Sequence, residues 1–371
     1  MKVSFNKLAI LAPFSGFYLA GVTVASPIYI AFIICIFYFF VLVLYTRVII
    51  IERQIFLGFL MSLLLLNQLF LTEINLAIGI LITFFYPFIF FIYLQNSKRE
   101  DLNKTLNCSL YLMGGLIVVD GIWRIFHPDL TMDASKLEEN GILFQIFKTN
   151  SLMFIDSNFV GVLSVCLISL YLWSLLALKK EFSITILFIL LFGLILTWSR
   201  AAFVGAFISI ILFYLYKNYF FKIFISSIII ISSPILLSIV IDKFQNDISF
   251  STKFLIIEKS YFYLQTASWW DLFFGVGSGK GETAIGMGTH NLFSTLIIEL
   301  GLIGFLVYFL LMFLIVIKVK RFRLLLILPF LIISFSATST SIPYFYTFLL
   351  LAMYLKDQSK DSNNNNAVSF K

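Results

Sequence analysis

The sequence holds two histidines, and one of them, His290, stands where a polar, glycine-rich stretch gives way to a long apolar run. An imidazole at such a boundary is suited to taking a proton from a hydroxyl, and no Cys, Asp or second His clusters with it to make a metal site. General base is therefore the chemistry assigned to His290, against the plainer role of a helix-end histidine bonded to water. Candidates for holding an anionic substrate are cations beside helix starts. Arg200 follows Trp198 and Ser199 in a tight turn between two apolar runs and opens the second, with Ala201 and Ala202 leaving space around it. Backbone amides and the helix dipole favour an anion there, so a phosphate or diphosphate site is expected, simple contact with lipid phosphates being the alternative. Arg124 lies four residues after Asp120 on one helical face: either a local ion pair with a snorkelling arginine, or an arginine turned into an outward cavity beside Trp123 and His127. Asp156 reads as a helix cap, while Asn158, deeper than it, either links helices or lines the cavity.

Residues 242–289 form a long connection carrying Lys243, Lys253, Lys259 and Lys280. Part of it, 252–267, suits an amphipathic helix on the membrane surface. Gly279, Gly281 and Ala284 match the dinucleotide fingerprint only weakly, with no strand–helix unit around them. The glycines are better read as a mobile cover over a substrate. Beyond them Asn291 adjoins His290, and at 100° per residue Ser294, Ile297, Gly301 and Gly304 share the histidine's helical face. Glu299 falls half a turn out of phase and about 13 Å deeper, so it is expected as a buried structural carboxyl rather than the partner of the imidazole.

What must position these groups is membrane-spanning helix. Of 371 residues 61% are hydrophobic and mean hydropathy is +1.01, which predicts an all-α, polytopic membrane protein. On a ruler of about 20 apolar residues per crossing, twelve spans are expected, at 8–24, 27–45, 54–71, 75–95, 105–125, 151–178, 182–197, 201–216, 223–241, 290–317, 324–336 and 341–355. Lysines and arginines crowd alternate loops, placing both termini in the cytoplasm and the two long loops, 126–150 and 242–289, outside. One transmembrane domain, 1–355, and a disordered cytoplasmic tail, 356–371, result. Lys2 and Lys7 before an apolar run read as a retained first helix rather than a cleaved signal. The net charge of +7 belongs to topology-setting loops, so nucleic-acid binding is excluded, and Cys35, Cys108 and Cys166 lie in apolar runs that suggest no disulfide framework. Neither internal repeats nor the paired interrupted helices of an inverted-repeat transporter are visible.

Three pieces combine: Ser199-Arg200-Ala201-Ala202-Phe203 after an outer turn, a long external loop with Gly275-Val276-Gly277, and His290-Asn291 followed by Glu299-Leu300-Gly301-Leu302-Ile303-Gly304. With Asp156-Ser157-Asn158-Phe159, they resemble the O-antigen ligase and O-antigen polymerase superfamily of bacterial envelope glycosyltransferases. The resemblance covers about residues 150–317. It implies metal-independent, cofactor-free glycosyl transfer at the outer face of the inner membrane, from sugar chains carried on undecaprenyl diphosphate, with a chain-length regulator and a flippase as possible partners. By matching residues, Arg200 would hold the diphosphate and His290 would activate the acceptor hydroxyl. The family often has a further arginine in the long loop; residues 242–289 contain none, and Lys253 or Lys259 would substitute without the bidentate fork. Between polymerase and ligase the composition leans to the polymerase, and a lipid-linked oligosaccharide flippase is the alternative of another class.

Overall fold

The computed structural model describes residues 27–45, 53–96, 102–132, 138, 143–154, 156–218, 220, 222–224, 227, 248–336 and 342–368. The expected span 8–24 and nearly all of 223–241 lie outside the described residues. Among those described, regular structure is entirely helical: α1 Pro27–Tyr45, α2 Arg53–Leu63, α3 Gln68–Leu71, α4 Ile74–Asn96, α5 Leu102–Phe126, α6 Ser157–Ala177, α7 Ile184–Leu196, α8 Arg200–Lys217, α9 Ile248–Thr266, α10 Trp269–Phe274, α11 Gly281–Ile285, α12 Leu292–Val319, α13 Leu324–Ile333 and α14 Pro343–Val368. Five of these segments, within α4, α5, α6, α8 and α12, are long and apolar enough to cross a membrane, and shorter apolar helices accompany them, a pattern compatible with a multi-pass membrane protein.

The bundle is arranged around α6, whose residues from Val160 to Ser174 are all buried. It packs on α8, α13, α7 and α14, and α14 in turn packs on α4 and α12. Small side chains let the central pair approach. A Cβ on Gly161 would lie 2.8 Å from that of Ala202, Gly205 faces Val165, and the buried hydroxyls of Ser169 and Ser209 bond each other at 2.8 Å. In an apolar surrounding such close contacts and a satisfied hydroxyl pair supply what water-driven burial cannot. The other half is aromatic: Phe84, Tyr308 and Tyr346 interlock, the Tyr346 hydroxyl donates to the Tyr308 carbonyl at 2.7 Å, and Phe330 stacks on Phe345 at 3.6 Å.

Four stretches differ from the sequence reading. The span 54–71 is interrupted: α2 ends at Leu63, a 3₁₀ turn covers Leu64–Asn67, and α3 follows. The span drawn from 151 begins as helix only at Ser157. Ser151 to Met153 are held irregular by the Asp120 carboxylate, and Asp156 caps the helix by accepting from Asn158 N. The long helix α12 is broken at Gly301, where φ is +67° and ψ −175°. Helical backbone also continues in α14 to Val368, past residue 356 where an unstructured tail is expected; extending an already nucleated helix costs far less than starting one.

Candidate functional site

Arg124 is fully buried, at 0% exposure, and does not open into a cavity. Its Nε donates to Asp120 Oδ2 at 3.0 Å, one terminal nitrogen to the Phe147 carbonyl at 2.8 Å and the other to the Leu196 carbonyl at 2.9 Å. The pairing on one helical face is as expected, but the arginine does not snorkel, and as a substrate-gripping group it is displaced by these three protein acceptors. Asp120 Oδ1 accepts from Ser151 Oγ and from the backbone of Leu152 and Met153. The two charges thus fasten two pieces of chain. One is the segment before α6, containing Lys148; the other is the last turn of α7, from which the chain reverses into Arg200.

That reversal is tight. Trp198 adopts φ +54°, Ser199 N donates to Thr197 Oγ1, and Ser157 Oγ donates to the Thr197 carbonyl at 2.8 Å, tying the start of α6 to the turn. Trp198 stacks on Phe147, the residue before Lys148. Arg200, exposed, is the first residue of α8. Lys148 Nζ lies 3.4 Å from Asn158 Oδ1 and over the Phe144 ring, and the Asn158 amide in turn donates to Asp156 Oδ2 at 3.0 Å. Burial pushes the Lys148 amine below the usual lysine range; Asp156 opposes this, and the charges of Arg200, Lys253 and Arg124 add to it. The fold therefore gathers Lys148, Arg200 and Lys253 near Asn158 and Asp156, at the starts of α6 and α8.

Of the expected binding residues, Arg200, Asn158 and Lys253 meet here. Lys148 was missed by sequence reasoning, because nothing local distinguishes it from any other loop lysine. Lys259 reaches elsewhere: six residues after Lys253 on α9 it is about 120° round the helix, and its Nζ lies 3.9 Å from where a Gly286 Cβ would stand. His127 stays a helix-end residue, stacked on Trp123 at 3.6 Å with Nδ1 2.9 Å from the Trp123 carbonyl.

His290 is exposed and precedes the helix rather than beginning it. Asn291 is the N-cap, buried, its Oδ1 accepting from Phe293 N at 2.9 Å. Asn291 thus fixes the entry of α12 and the direction of His290, and its amide oxygen is occupied. The imidazole folds back over Gly288, whose added Cβ would lie 2.8 Å from Nε2, and among the described residues the ring makes no hydrogen bond. The small face expected beneath it does not exist as drawn, since His290 is outside the helix and Gly301 breaks the phase. The start of α12 is linked towards the cationic group through α13: Leu292 N donates to the Ser334 carbonyl just beyond α13, and α13 packs on α8.

The glycine-rich segment is an anchored bracket, not the loose cover its composition suggests. Val276 N and Gly277 N donate to the Ile298 and Glu299 carbonyls, which the break at Gly301 leaves free, each at 3.0 Å. The same segment fastens to the other interrupted helix: Gln68 Nε2 donates to the Phe274 carbonyl, Ser278 N to Gln68 Oε1, Thr72 Oγ1 to the Ser278 carbonyl and Lys280 Nζ to the Leu71 carbonyl. Positive φ at Gly275 (+77°) and Gly301 (+67°) allows backbone to touch backbone, since a Cβ on Gly301 would stand 2.4 Å from the Phe273 carbonyl oxygen. Gly301 thus accommodates this segment rather than a lipid chain or a neighbouring helix, while Gly304 abuts the Leu300 side chain of its own helix. Glu299 is buried within this bracket, its Oε2 3.4 Å from Ser278 Oγ, and its Oε1 shares the space beside Gly281 with the Thr289 side chain.

Among the described residues no group of three or more His, Cys, Asp or Glu is disposed to hold a metal ion. No protein-family model matches the chain, and no curated protein is significantly similar to it.

Proposed function

We propose that the protein is a repeat-unit polymerase of bacterial envelope polysaccharide, transferring glycan between undecaprenyl-diphosphate-linked oligosaccharides at the outer face of the cytoplasmic membrane. The observation that carries the reading is the pairing of one exposed, uncommitted imidazole with a separate convergence of cations at two helix starts. A base for a hydroxyl and a cradle for a diphosphate are the two devices such a transfer needs. His290 takes the proton of the acceptor hydroxyl as its oxygen attacks the anomeric carbon of the donor chain. The bond from that carbon to the diphosphate oxygen breaks, and the lipid diphosphate leaves with the electron pair.

Arg200, Lys148 and Lys253 stabilise the negative charge that grows on the leaving group, aided by the dipole of α8. Asn158 orients Lys148, Arg124 positions both segments that deliver the cations, and Asn291 aims the histidine. Lys259, whose amine reaches Gly286, is left out of the diphosphate site. Tethering both substrates in one bilayer supplies much of their mutual orientation.

The test is polymer synthesis by purified protein in vesicles with lipid-diphosphate-linked oligosaccharides. His290→Ala should lower the rate by about 10²–10⁴-fold, the span of a lost general base, with thermal stability unchanged. Chains of normal length and amount from that variant would sink the assignment. Product transferred to lipid A core, with no lengthening of the lipid-linked chain, would indicate a ligase instead.

A further inference from the structure

The helix α9 is inside out for a helix on a water-facing surface. There the apolar stripe faces the protein and the polar side faces solvent. In α9 the inward residues are Thr252, Ile256, Lys259, Ser260 and Tyr263, all buried or half-buried, with Lys253 half-buried at their edge. The outward face presents Phe254, Leu255, Ile257, Tyr261 and Phe262, each exposed, Phe262 at 65%, with Glu258 and Gln265 the polar interruptions. The next helix, α10, continues the pattern: Trp269 is 78% exposed and Trp270 59%.

Where this face sits is fixed by α12. Below the break at Gly301 the chain from Leu302 to Val319 rises about 27 Å at 1.5 Å per residue, close to the roughly 30 Å of a hydrocarbon core. Its far end carries Lys318, Lys320, Arg321 and Arg323, and its exposed side is a continuous apolar strip of Leu302, Leu306, Leu310, Phe313 and Ile317. The α10 helix is seated on the break itself, with the Phe273 carbonyl against Gly301 and the Gly275 amide alongside. The α10 helix with its tryptophans therefore stands where the apolar strip of α12 ends, at the level that tryptophan favours in membrane proteins, and α9 adjoins it with Ile256 packed on Ile298, just before the break.

We infer that α9 and α10 are embedded in the lipid at the headgroup–acyl boundary of the bilayer, with the aromatic face of α9 in the lipid and its two lysines turned towards the protein. The glycine bracket between α10 and α12 then sets their depth. The residues of α12 before Gly301, with buried Glu299, stand above the hydrocarbon, and α9 forms a wall between lipid and protein. This holds whatever reaction the protein catalyses, and its failure would leave the assignment of His290 untouched.

The experiment is collision accessibility of spin labels at residues 254, 261 and 262, placed singly in full-length protein whose three cysteines are replaced, reconstituted in phospholipid nanodiscs. Labels there should collide with oxygen several-fold more than with a water-soluble nickel chelate, whereas a label at exposed residue 282 should show the reverse order. Nickel accessibility equal to that at 282, or labels shielded from both colliders as beneath a second protein surface, would overturn the inference. The cysteine-containing protein provides an independent measurement with lipids brominated near the headgroup. Its tryptophan fluorescence should be quenched, and Trp269→Phe with Trp270→Phe should remove most of that quenching; unchanged quenching would also overturn the inference.

Discussion

The Asp120–Arg124 pair and the Lys148–Arg200–Lys253 group share chain segments but handle charge in opposite ways. In the first, opposite charges are matched and every nitrogen position of the guanidinium has a protein acceptor. In the second, cations converge and burial pushes one of them below the ordinary lysine range. Two neighbouring groups of charge thus divide the work. The first holds the scaffold, and the second gathers more cations than the one carboxylate of Asp156, a field that an anion would neutralise. The connection is direct, because Arg124 binds the carbonyl of Phe147, next to Lys148, and that of Leu196, ahead of Arg200.

The largest effect should come from breaking the matched pair. Asp120→Ala leaves a fully buried guanidinium without its counter-charge and frees the Ser151–Met153 backbone, a loss of about 3–5 kcal/mol. Thermal unfolding in detergent should show a sharply lower Tm, with a milder loss in Asp120→Leu/Arg124→Met, where no charge is stranded. A wild-type Tm in Asp120→Ala combined with lost transfer would move the pair from scaffold to substrate site.

A middle-sized effect is expected at the glycine bracket. Gly301→Ala sets a Cβ against the Phe273 carbonyl at a φ of +67°, and strained backbone of this kind costs of order 1–3 kcal/mol before the clash is counted. Because the bracket ties Lys280 to the Leu71 carbonyl, the variant should be cut faster by trypsin after Lys280. If cleavage were as slow as in the unaltered protein, the contacts at Gly301 would not be what holds the segment.

What was legible in the sequence follows the range of each interaction. The all-helical class was readable because apolar length is a local property, and the cap at Asp156 and the pairing of Asp120 with Arg124 because they act over two and four residues. The break at Gly301 and the 3₁₀ turn after Leu63 were not: the carbonyls freed at the break are met by Val276 and Gly277 from a separate segment, and Gln68 and Thr72 find that segment 206 residues away. Glycine composition alone cannot distinguish a mobile cover from backbone packed on backbone. Lys148 was invisible for the same reason: its neighbours Arg200 and Lys253 come from helices that only the fold brings near. That Glu299 is a buried carboxyl was legible from its place in an apolar run, yet its partner Ser278 was not.

The smallest effect on stability, and the sharpest on the comparison, should come from Lys148→Gln. At neutral pH the amine is charged in both folded and unfolded chains. Since folding lowers its pKa, the folded state bears a penalty that is full below the lowered value and is relieved as pH rises through it. Removing the charge should therefore raise the Tm slightly at neutral pH and flatten the alkaline rise in stability, the opposite sign to Asp120→Ala. The same change should weaken anion binding. Inorganic diphosphate should raise the Tm of the unaltered protein, as any ligand selective for the folded state does, and should raise that of the variant less. The contrast between the two regions is thus a contrast of sign: a group that costs stability and gains it back from a phosphate is recruited for binding. A fall in Tm without diphosphate, or an equal gain with it, would place Lys148 with the matched pair instead.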